Sequence, residues 1–250
     1  MAKLLSLIFG VAVATITAAG SASAADMALK APPPVVAPVV VPWTGCYVGG
    51  NGGLGIQNTK IYDPAHVDLE TSPYEAWTNG IGFAAGGQVG CDYQMNSNWV
   101  VGARGMIDAL RINQNQGYNL CDGDPDCSGA LGIRTNWFAT ALGKVGYLAV
   151  PNGLVYVKGG AAWKNVSYTD SFADCGCVWN GHATTILGYD VGAGFEYLFI
   201  PNLSAFVELD YMGFPTKSAT ITDQFGGTET FDYTHSILAI LVGLNLRFHP

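Results

Sequence analysis

Residues 234–248 read THSILAILVGLNLRF, and this stretch decides the fold. Taken at every second position, it separates into one apolar row and one row that is small and then polar. The apolar row is Leu238, Ile240, Val242, Leu244, Leu246 and Phe248. The other row is Ala239, Leu241, Gly243, Asn245 and Arg247. A two-residue period is typical of a β-strand, because successive side chains leave opposite faces of a sheet.

The first 42 residues differ in character from the rest of the chain. A short basic start is followed by an apolar run over residues 4–19 and by the small residues Ala22, Ser23 and Ala24. This order predicts a cleaved signal peptide over residues 1–24; the alternative, a membrane anchor, is disfavoured because the apolar run is short. Residues 25–42 are rich in Pro, Val and Ala, and we interpret them as an extended periplasmic segment, with a disordered tail that has no role as the alternative.

Composition restricts the class of protein. Charged residues make up only 12% of the chain, whereas about a quarter is usual in a soluble domain. Aromatic residues reach 12%, and no apolar run of transmembrane-helix length follows the leader. The formal net charge of −8 argues against nucleic acid or an anionic membrane surface as a partner.

From Trp43 onward, alternating segments are joined by connections that are in turn short and long. The short connections are residues 95–98, 151–153 and 201–202, and the long ones are 57–80, 113–134, 164–183 and 214–233. Seven connections join eight strands, and this spacing is typical of outer-membrane barrels. The sequence therefore predicts an all-β fold over residues 43–250, an eight-stranded antiparallel transmembrane up-and-down β-barrel with short periplasmic turns and four long extracellular loops.

A soluble β-sandwich or lipocalin would also alternate, but its polar face would be larger. Here the face opposite the apolar row is mostly Gly, Ala and Thr with isolated charges, which would make a poor soluble exterior. Aromatic residues near the strand ends fit the girdles of a membrane barrel. Those residues are Trp43, Tyr47, Tyr93, Trp99, Tyr147, Trp163, Tyr197 and Tyr211.

The segment WTGCYVGGN at residues 43–51 resembles the opening strand of the small outer-membrane β-barrel proteins of alphaproteobacteria, the OmpA-like and opacity-protein type often called the porin family. Further matches are GGQVG at 86–90, NWVVG at 98–102, VYVKGGA at 155–161, GAGFEY at 192–197 and VGLNLRF at 242–248. The resemblance implies an integral protein of the cell outer membrane, surrounded by lipid and lipopolysaccharide and inserted by the barrel-assembly machinery. That machinery would read the terminal residues Val242, Leu244, Leu246 and Phe248, although this chain continues past Phe248 with His249 and Pro250.

Charged residues of the strands fall on the face opposite the apolar row, and we expect them to line the lumen. They are Asp92, Arg104, Asp108, Lys144, Lys158, Asp190, Glu196, Glu208, Asp210 and Arg247. An eight-stranded barrel is narrow enough to be filled by its own side chains. The set is therefore interpreted as an ion-pair network that plugs the barrel, with a narrow polar conduit as the alternative. Six acids against four bases imply either that any leak would favour cations or that some of the carboxylates are protonated.

The six cysteines divide by position. Cys46 and Cys91 should lie at similar heights on the lipid-facing side of the first two strands, either as a disulfide or as two free thiols. Cys121, Cys127, Cys175 and Cys177 belong to two of the long loops, and their three possible pairings stay open. Asp122, Asp124 and Asp126 are spaced like oxygen ligands but lack the glycine and glutamate of a calcium loop. We expect no metal and no cofactor.

These features favour a contribution to envelope integrity, with at most passive passage of solutes or ions through a narrow lumen. An alternative is a surface adhesin or ligand-binding barrel acting through its long loops. Catalysis is not expected: His235, Ser236 and Asp232 supply suitable residue types, but their spacing matches no nucleophile motif. The oligomeric state is not predicted.

Overall fold

The structure is a computed structural model that describes residues 43–63, 74–119, 128–172, 177–180, 183–222 and 228–248. In these ranges no helix is long and apolar enough to cross a membrane. The signal peptide predicted over residues 1–24 and the Pro-rich segment over 25–42 lie outside the described residues and stay predictions.

Nine strands follow one another along the described chain. They are β1 (Gly45–Asp63), β2 (Tyr74–Gln94), β3 (Trp99–Asn119), β4 (Ser128–Val150), β5 (Gly153–Phe172), β6 (Cys177–Asn180), β7 (Thr184–Ile200), β8 (Leu203–Thr222) and β9 (Thr228–Phe248). β6 has only four residues, and it pairs with the far end of β5. The eight long strands form the wall of the molecule.

The wall closes on itself. Each long strand pairs antiparallel with its neighbours, and β1 pairs with β2 on one side and with β9 on the other. The first and last strands therefore meet, with Cys46 opposite Phe248. The predicted eight-stranded antiparallel barrel is confirmed. We call the end that carries the three short turns and the start of β1 the turn end, and the opposite end the loop end.

At the loop end the strands run farther than the sequence analysis assigned them. β1 continues to Asp63 and β2 begins at Tyr74, although residues 57–80 were assigned to a loop. The same extension occurs in the other three long connections. Beyond the membrane the outward row becomes polar, as at Asn165 and Ser167 on β5, while Val166 and Tyr168 stay buried. The sequence analysis assigned these extensions to loops because their outward residues are polar. Without outward apolar residues, the two-residue pattern that marks a lipid-facing strand is no longer visible.

The burial pattern of β9 is the reverse of that in a soluble barrel. Its apolar row is exposed, from 37% at Leu238 to 55% at Val242, whereas Ala239 and Leu241 in the other row are fully buried. Every long strand carries such an exposed apolar row, and together these rows form what we call the apolar band. Exposed apolar side chains over a continuous surface are stable only against lipid.

Two of the eight aromatic residues assigned to the girdles are elsewhere. Tyr93, Trp99, Tyr147 and Tyr197 are exposed near the strand ends, as predicted, whereas Trp163 and Tyr211 face outward in the middle of β5 and β8. Trp43 and Tyr47 are buried in the interior, so this part of the prediction is wrong. Tyr47 lies between the lipid-facing Cys46 and Val48, and alternation therefore turns it inward. Trp43 precedes β1 and packs beneath the barrel wall.

A disulfide joins Cys46 of β1 to Cys91 of β2, where the two residues lie directly opposite each other. It links the two strands at the turn end, on the lipid-facing side. Cys121, Cys127 and Cys175 lie outside the described residues, and Cys177 is the first residue of β6. The pairing of these four cysteines stays a prediction.

Candidate functional site in the barrel interior

All ten charged residues that the sequence analysis assigned to the lumen are buried, and none is more than 6% exposed. They lie in the half of the interior nearer the turn end, which we call the lower level. Above them along the same strands come a middle level of apolar side chains and an upper level of neutral polar groups. Each level is built from inward residues of several strands.

The first cluster of the lower level joins β2, β4, β7 and β9. The guanidinium of Arg247 contacts Asp92 at 2.7 Å and Glu196 at 2.9 Å. Lys144 lies 2.9 Å from Asp92 and 3.5 Å from Glu196, so each cation contacts both acids. Ser204 donates a further hydrogen bond of 2.5 Å to Glu196. Two cations and two carboxylates therefore balance each other in a buried square.

The second cluster is centred on Glu208 of β8. Arg104 donates two hydrogen bonds to its carboxylate, at 2.5 and 2.6 Å, in the bidentate geometry that favours arginine. Lys158 contacts the same carboxylate at 2.5 Å and Asp210 at 2.9 Å, and Tyr156 donates its hydroxyl to Glu208. This cluster ties β3 and β5 to β8 across the barrel.

Asp108 and Asp190 complete the set of six acids. Both are fully buried, and neither has an ion pair among the described residues. Their carboxylate oxygens accept no hydrogen bond within the described structure. The predicted set contains six acids and four bases. Asp108 and Asp190 are the two acids that remain after the other four have paired with the four bases.

Glycines on neighbouring strands make room for the inward aspartates. A Cβ atom at Gly86 would lie 2.4 Å from the carboxylate of Asp108, and one at Gly192 would lie 2.0 Å from that of Asp210. Each aspartate therefore lies flat against a backbone that only glycine leaves open. In the sequence these inward-facing glycines indicated only small side chains. In the structure they determine where the aspartate carboxylates can fit.

The turn end of the interior is covered by Trp43. Its side chain is fully buried, its indole N–H donates to the carbonyl of Pro151 at 3.1 Å, and its own carbonyl accepts from Arg247 at 3.0 Å. The Arg247 guanidinium lies 4.9 Å from the centre of the indole ring. A small apolar cluster with Val100, Leu148, Leu154, Tyr156 and Leu198 surrounds it.

The middle level is apolar. It was not predicted, because the inner rows were interpreted as Gly, Ala, Thr and isolated charges. These residues are part of one buried apolar cluster, and its members at this height are Ala84, Leu110, Ile112, Phe138, Ala162, Ile186, Met212, Ile237, Ala239 and Leu241. One residue of the sequence did indicate an apolar level inside the barrel. Leu241 is a large apolar residue in the inward-facing row of β9. Most of the others flank segments that were assigned to loops.

The upper level is a network of hydrogen bonds between neutral groups. The amide of Gln57 donates to Gln114 at 2.7 Å, and its carbonyl accepts from Thr135 at 2.7 Å. His235 contacts Thr59 through Nδ1 at 3.0 Å and Tyr168 through Nε2 at 2.9 Å. The sequence analysis treated His235 only as part of a possible catalytic set, and it gave no sign of this network.

One cation, Lys164, belongs to this level. It is fully buried, and it makes no ion pair within the described part of the chain. Its ammonium group lies 3.5 Å from the carbonyl oxygen of Gln57 and 5.1 Å from the centre of the Phe214 ring. The outward neighbours of His235, Thr234 and Ser236, are polar, so His235 lies beyond the apolar band. Burial lowers the pKa of His235 well below its usual range, and the charge of Lys164 lowers it further.

The residues considered for catalysis do not converge. His235 is buried inside the barrel, whereas its neighbour Ser236 is on the outward face and is half-exposed. Asp232 is also outward and accepts a hydrogen bond of 2.7 Å from Ser218. Ser236 and His235 therefore cannot act as a nucleophile and its base. In the described ranges no group of three His, Cys, Asp or Glu side chains could hold a metal ion, and Asp122, Asp124 and Asp126 lie outside those ranges.

Comparison with known proteins decides the family. The model of the outer membrane protein beta-barrel domain matches residues 12–248. The chain belongs to this family. A 31 kDa outer-membrane immunogenic protein of Brucella melitensis is 27% identical over 244 residues, covering 92% of this chain and 95% of the relative. A 22 kDa outer membrane protein of Rhizobium leguminosarum bv. viciae is 29% identical over 206 residues, covering 82% and 78%.

Among solved structures, the outer membrane protein OprG from Pseudomonas aeruginosa shares the fold, with a TM-score of 0.53 and 13% identity over 85% of this chain and all of that one. As a member of the family, this protein resides in the outer membrane. Short turns of such barrels face the periplasm. The turn end is accordingly the periplasmic end, and the loop end is extracellular.

Proposed function

We propose that the protein is a closed structural barrel that contributes to the integrity of the outer membrane and has at most a very small ion conductance. The observation that carries this proposal is the middle level, where buried apolar side chains from seven of the eight long strands form one cluster. An ion crossing it would lose its hydration without gaining polar partners, which is costly.

The levels on either side strengthen the barrier. In the lower level four cations and their carboxylate partners are bound to one another, and Trp43 covers the opening below them. Such side chains hold the opposite walls of the barrel together, as Glu208 does for β3, β5 and β8. A narrow conduit would instead need polar groups that face water along its whole length.

Planar-bilayer recording tests the barrier. The refolded protein should give no stable open conductance. A variant with Leu110, Phe138 and Ile237 all replaced by glycine removes side chains from the middle level and should give measurable current. The matched control replaces three lipid-facing residues, Val242, Leu244 and Ile240, by glycine and should remain closed. Stable channels in the unaltered protein would contradict the proposal.

The role in the envelope has its own test. A strain that lacks the protein should become more sensitive to detergents and should admit more of a large polar dye through its outer membrane. Complementation by the unaltered chain should restore the barrier. If the deletion strain is no more sensitive than its parent, the proposed role in outer-membrane integrity is wrong, although the barrel could still be closed.

A surface-recognition function is the second candidate, and the extracellular extension of β8 and β9 favours it. Beyond the apolar band these strands carry a ladder of outward hydroxyls, with Thr216 bonded to Thr234 at 2.7 Å and Thr220 to Thr230 at 3.0 Å. One relative is named an outer-membrane immunogenic protein, which fits an exposed surface. Deleting residues 218–232 should abolish binding of cells to a ligand-coated surface if this ladder recognises it.

We further propose that the barrel has no catalytic function, because the Ser236 and His235 side chains are separated by the wall. Activity that survives both Ser236→Ala and His235→Gln would have to come from another set of residues.

A further inference from the structure

A row of side-chain amides crosses the lower level from the first ion-pair cluster to β1. Asn245 donates its amide N–H to the carboxylate of Glu196 at 3.0 Å. Gln88 donates to the side-chain oxygen of Asn245 at 2.9 Å, and Asn51 donates to that of Gln88 at 2.8 Å. We call Asn245, Gln88 and Asn51 the amide relay.

Glu196 fixes the direction of the amide relay. Its carboxylate is in an ion pair with Arg247 at 2.9 Å, and an ionised carboxylate can only accept hydrogen bonds. Each amide of the relay therefore offers its nitrogen towards Glu196 and its oxygen to the next amide. At the far end the side-chain oxygen of Asn51 is buried, and no donor reaches it within the described structure. A buried acceptor without a donor is costly, so the relay needs one more donor.

Asp108 lies where that donor is needed. Asn51 is opposite Gly86 in register, and Gly86 is opposite Asp108. Because Gly86 has no side chain, the two polar side chains face each other over it, and they lie within interaction range. On its other side Asp108 is opposite the apolar Phe138, which separates it in register from Lys164.

The charged groups that face Asp108 do not compensate an ionised carboxylate there. Arg104 and Lys158 would attract it, whereas Asp210 would repel it. Arg104 is already bound to Glu208, and Lys158 is bound to both Glu208 and Asp210. An ionised Asp108 would thus be a fully buried charge without an ion pair in the described part of the chain, which is unfavourable.

We propose that Asp108 is a proton-binding site: its carboxyl group is protonated in the folded barrel and donates to the side-chain oxygen of Asn51. The proton removes the uncompensated charge and also supplies the donor that the amide relay lacks. The unfolded chain at neutral pH carries this carboxyl group ionised, so the proton is taken up from the solvent on folding. The site goes beyond the closed-barrel function and does not depend on whether the interior conducts.

Infrared spectroscopy of the full mature chain, refolded in lipid vesicles at neutral pH, tests the charge state. A protonated carboxyl group has a C=O stretching band that is separate from the bands of a carboxylate. The difference spectrum between the parent and Asp108→Asn should contain this band. The difference between the parent and the matched control Asp210→Asn should not, because Asp210 is in an ion pair with Lys158. Absence of the band from the Asp108→Asn difference would overturn the proposal.

Proton uptake also makes the stability depend on pH. The unfolded chain releases the proton of Asp108 above about pH 3.9, whereas the folded barrel keeps it. The stability due to this proton is therefore complete below that pH and is lost as the pH rises. Relative to Asp108→Asn, the folded-to-unfolded ratio of the parent should fall about ten-fold per pH unit while the folded site stays protonated. Other titrating groups, such as His235, are common to both proteins, and parallel pH profiles would reject the proposal.

Two neutral replacements of Asp108 test the role as donor. Asp108→Asn retains an N–H donor for Asn51, whereas Asp108→Leu has none. At neutral pH the folded-to-unfolded ratio of Asp108→Leu should be about ten-fold lower than that of Asp108→Asn. Equal ratios would show that Asn51 needs no donor from this position and would overturn the pairing.

Two further measurements keep the site testable. If the Asp108 variants fail to fold, Asn51→Leu should shift the C=O band of the protonated carboxyl group, because the group loses its acceptor, and an unshifted band would reject the pairing. Addition of Na⁺ or Mg²⁺ at constant pH should leave the stability of the parent relative to Asp108→Asn unchanged. A rise in the parent alone would show that a metal ion and not a proton neutralises Asp108, which would also overturn the proposal.

Discussion

The lower and upper levels of the interior fill the same barrel in two different ways. In the lower level opposite charges bind one another, and Glu208 alone contacts Arg104, Lys158 and Tyr156. In the upper level Gln57, Gln114 and their neighbours bond as neutral groups, around one histidine and one lysine. The comparison teaches that the lower level depends on every partner being present, whereas the upper level depends on its groups staying uncharged.

The largest effect should come from removing the centre of the second ion-pair cluster. Glu208→Ala leaves two buried cations without their shared partner, and it should lower the free energy of unfolding by about 3–5 kcal/mol. Urea unfolding in lipid vesicles measures this loss. The control Asp232→Ala replaces an acid whose hydrogen bond to Ser218 is exposed in the extracellular part of β9, and it should change little. Equal losses in the two variants would contradict the central role of Glu208.

Opening the disulfide should rank second. Cys46 and Cys91 close a loop with a sequence separation of 45, and their replacement by alanine should cost about 2–4 kcal/mol by freeing the unfolded chain. The same loss should follow when the unaltered protein is reduced before refolding. If reduction has no effect on the variant but destabilises the parent, the bond itself is responsible.

The upper level should show the clearest dependence on pH. His235 is neutral in the folded protein, and its folded pKa is lowered, while the unfolded chain binds a proton below about pH 6.5. The stability associated with neutral His235 is therefore complete above about pH 6.5 and is lost as the pH falls towards the folded pKa. Between pH 6.5 and pH 5 this loss can amount to at most about 2 kcal/mol.

The comparison of unfolding at pH 7 and pH 5 between the parent and His235→Gln isolates this group. The glutamine variant should lose less stability on acidification. Parallel pH profiles would show that His235 is not the group that titrates.

The smallest effect should have the opposite sign. Lys164→Met replaces a buried cation without a described ion pair by an apolar side chain of similar length, and it should raise the free energy of unfolding by about 1 kcal/mol. Lys158→Met, on the same strand but in the lower level, removes a partner of Glu208 and Asp210 and should destabilise the protein. Two changes of the same sign would remove the distinction between the levels.

Much of the fold could be predicted from the sequence because a two-residue period has only one structural cause. The inner row of β9 already separated Asn245 and Arg247 from the lipid-facing Val242 and Leu244. Cys46 and Cys91 could be placed at one height because a hairpin fixes which residues face each other. The charged residues named for the interior could be listed from the same alternation.

Other features could not be predicted, since alternation tells on which face a side chain lies but not what it meets. Trp43 lies before the first strand, where no period applies, and only the closed wall shows that it covers the periplasmic opening. The apolar middle level arises from residues of seven strands whose relative heights depend on strand tilt and register. The extracellular strand extensions were missed because their outward residues are polar.

The sequence by itself determined that the strands alternate, that apolar side chains face lipid and that six acids and four bases share an interior. Only the tertiary structure decided which of them pair: Glu208 with Arg104 and Lys158, and Arg247 with Asp92 and Glu196. The physical reason is distance. Alternation is local to one strand, whereas a contact across the barrel depends on the register of all eight strands at once, and no single strand carries that information.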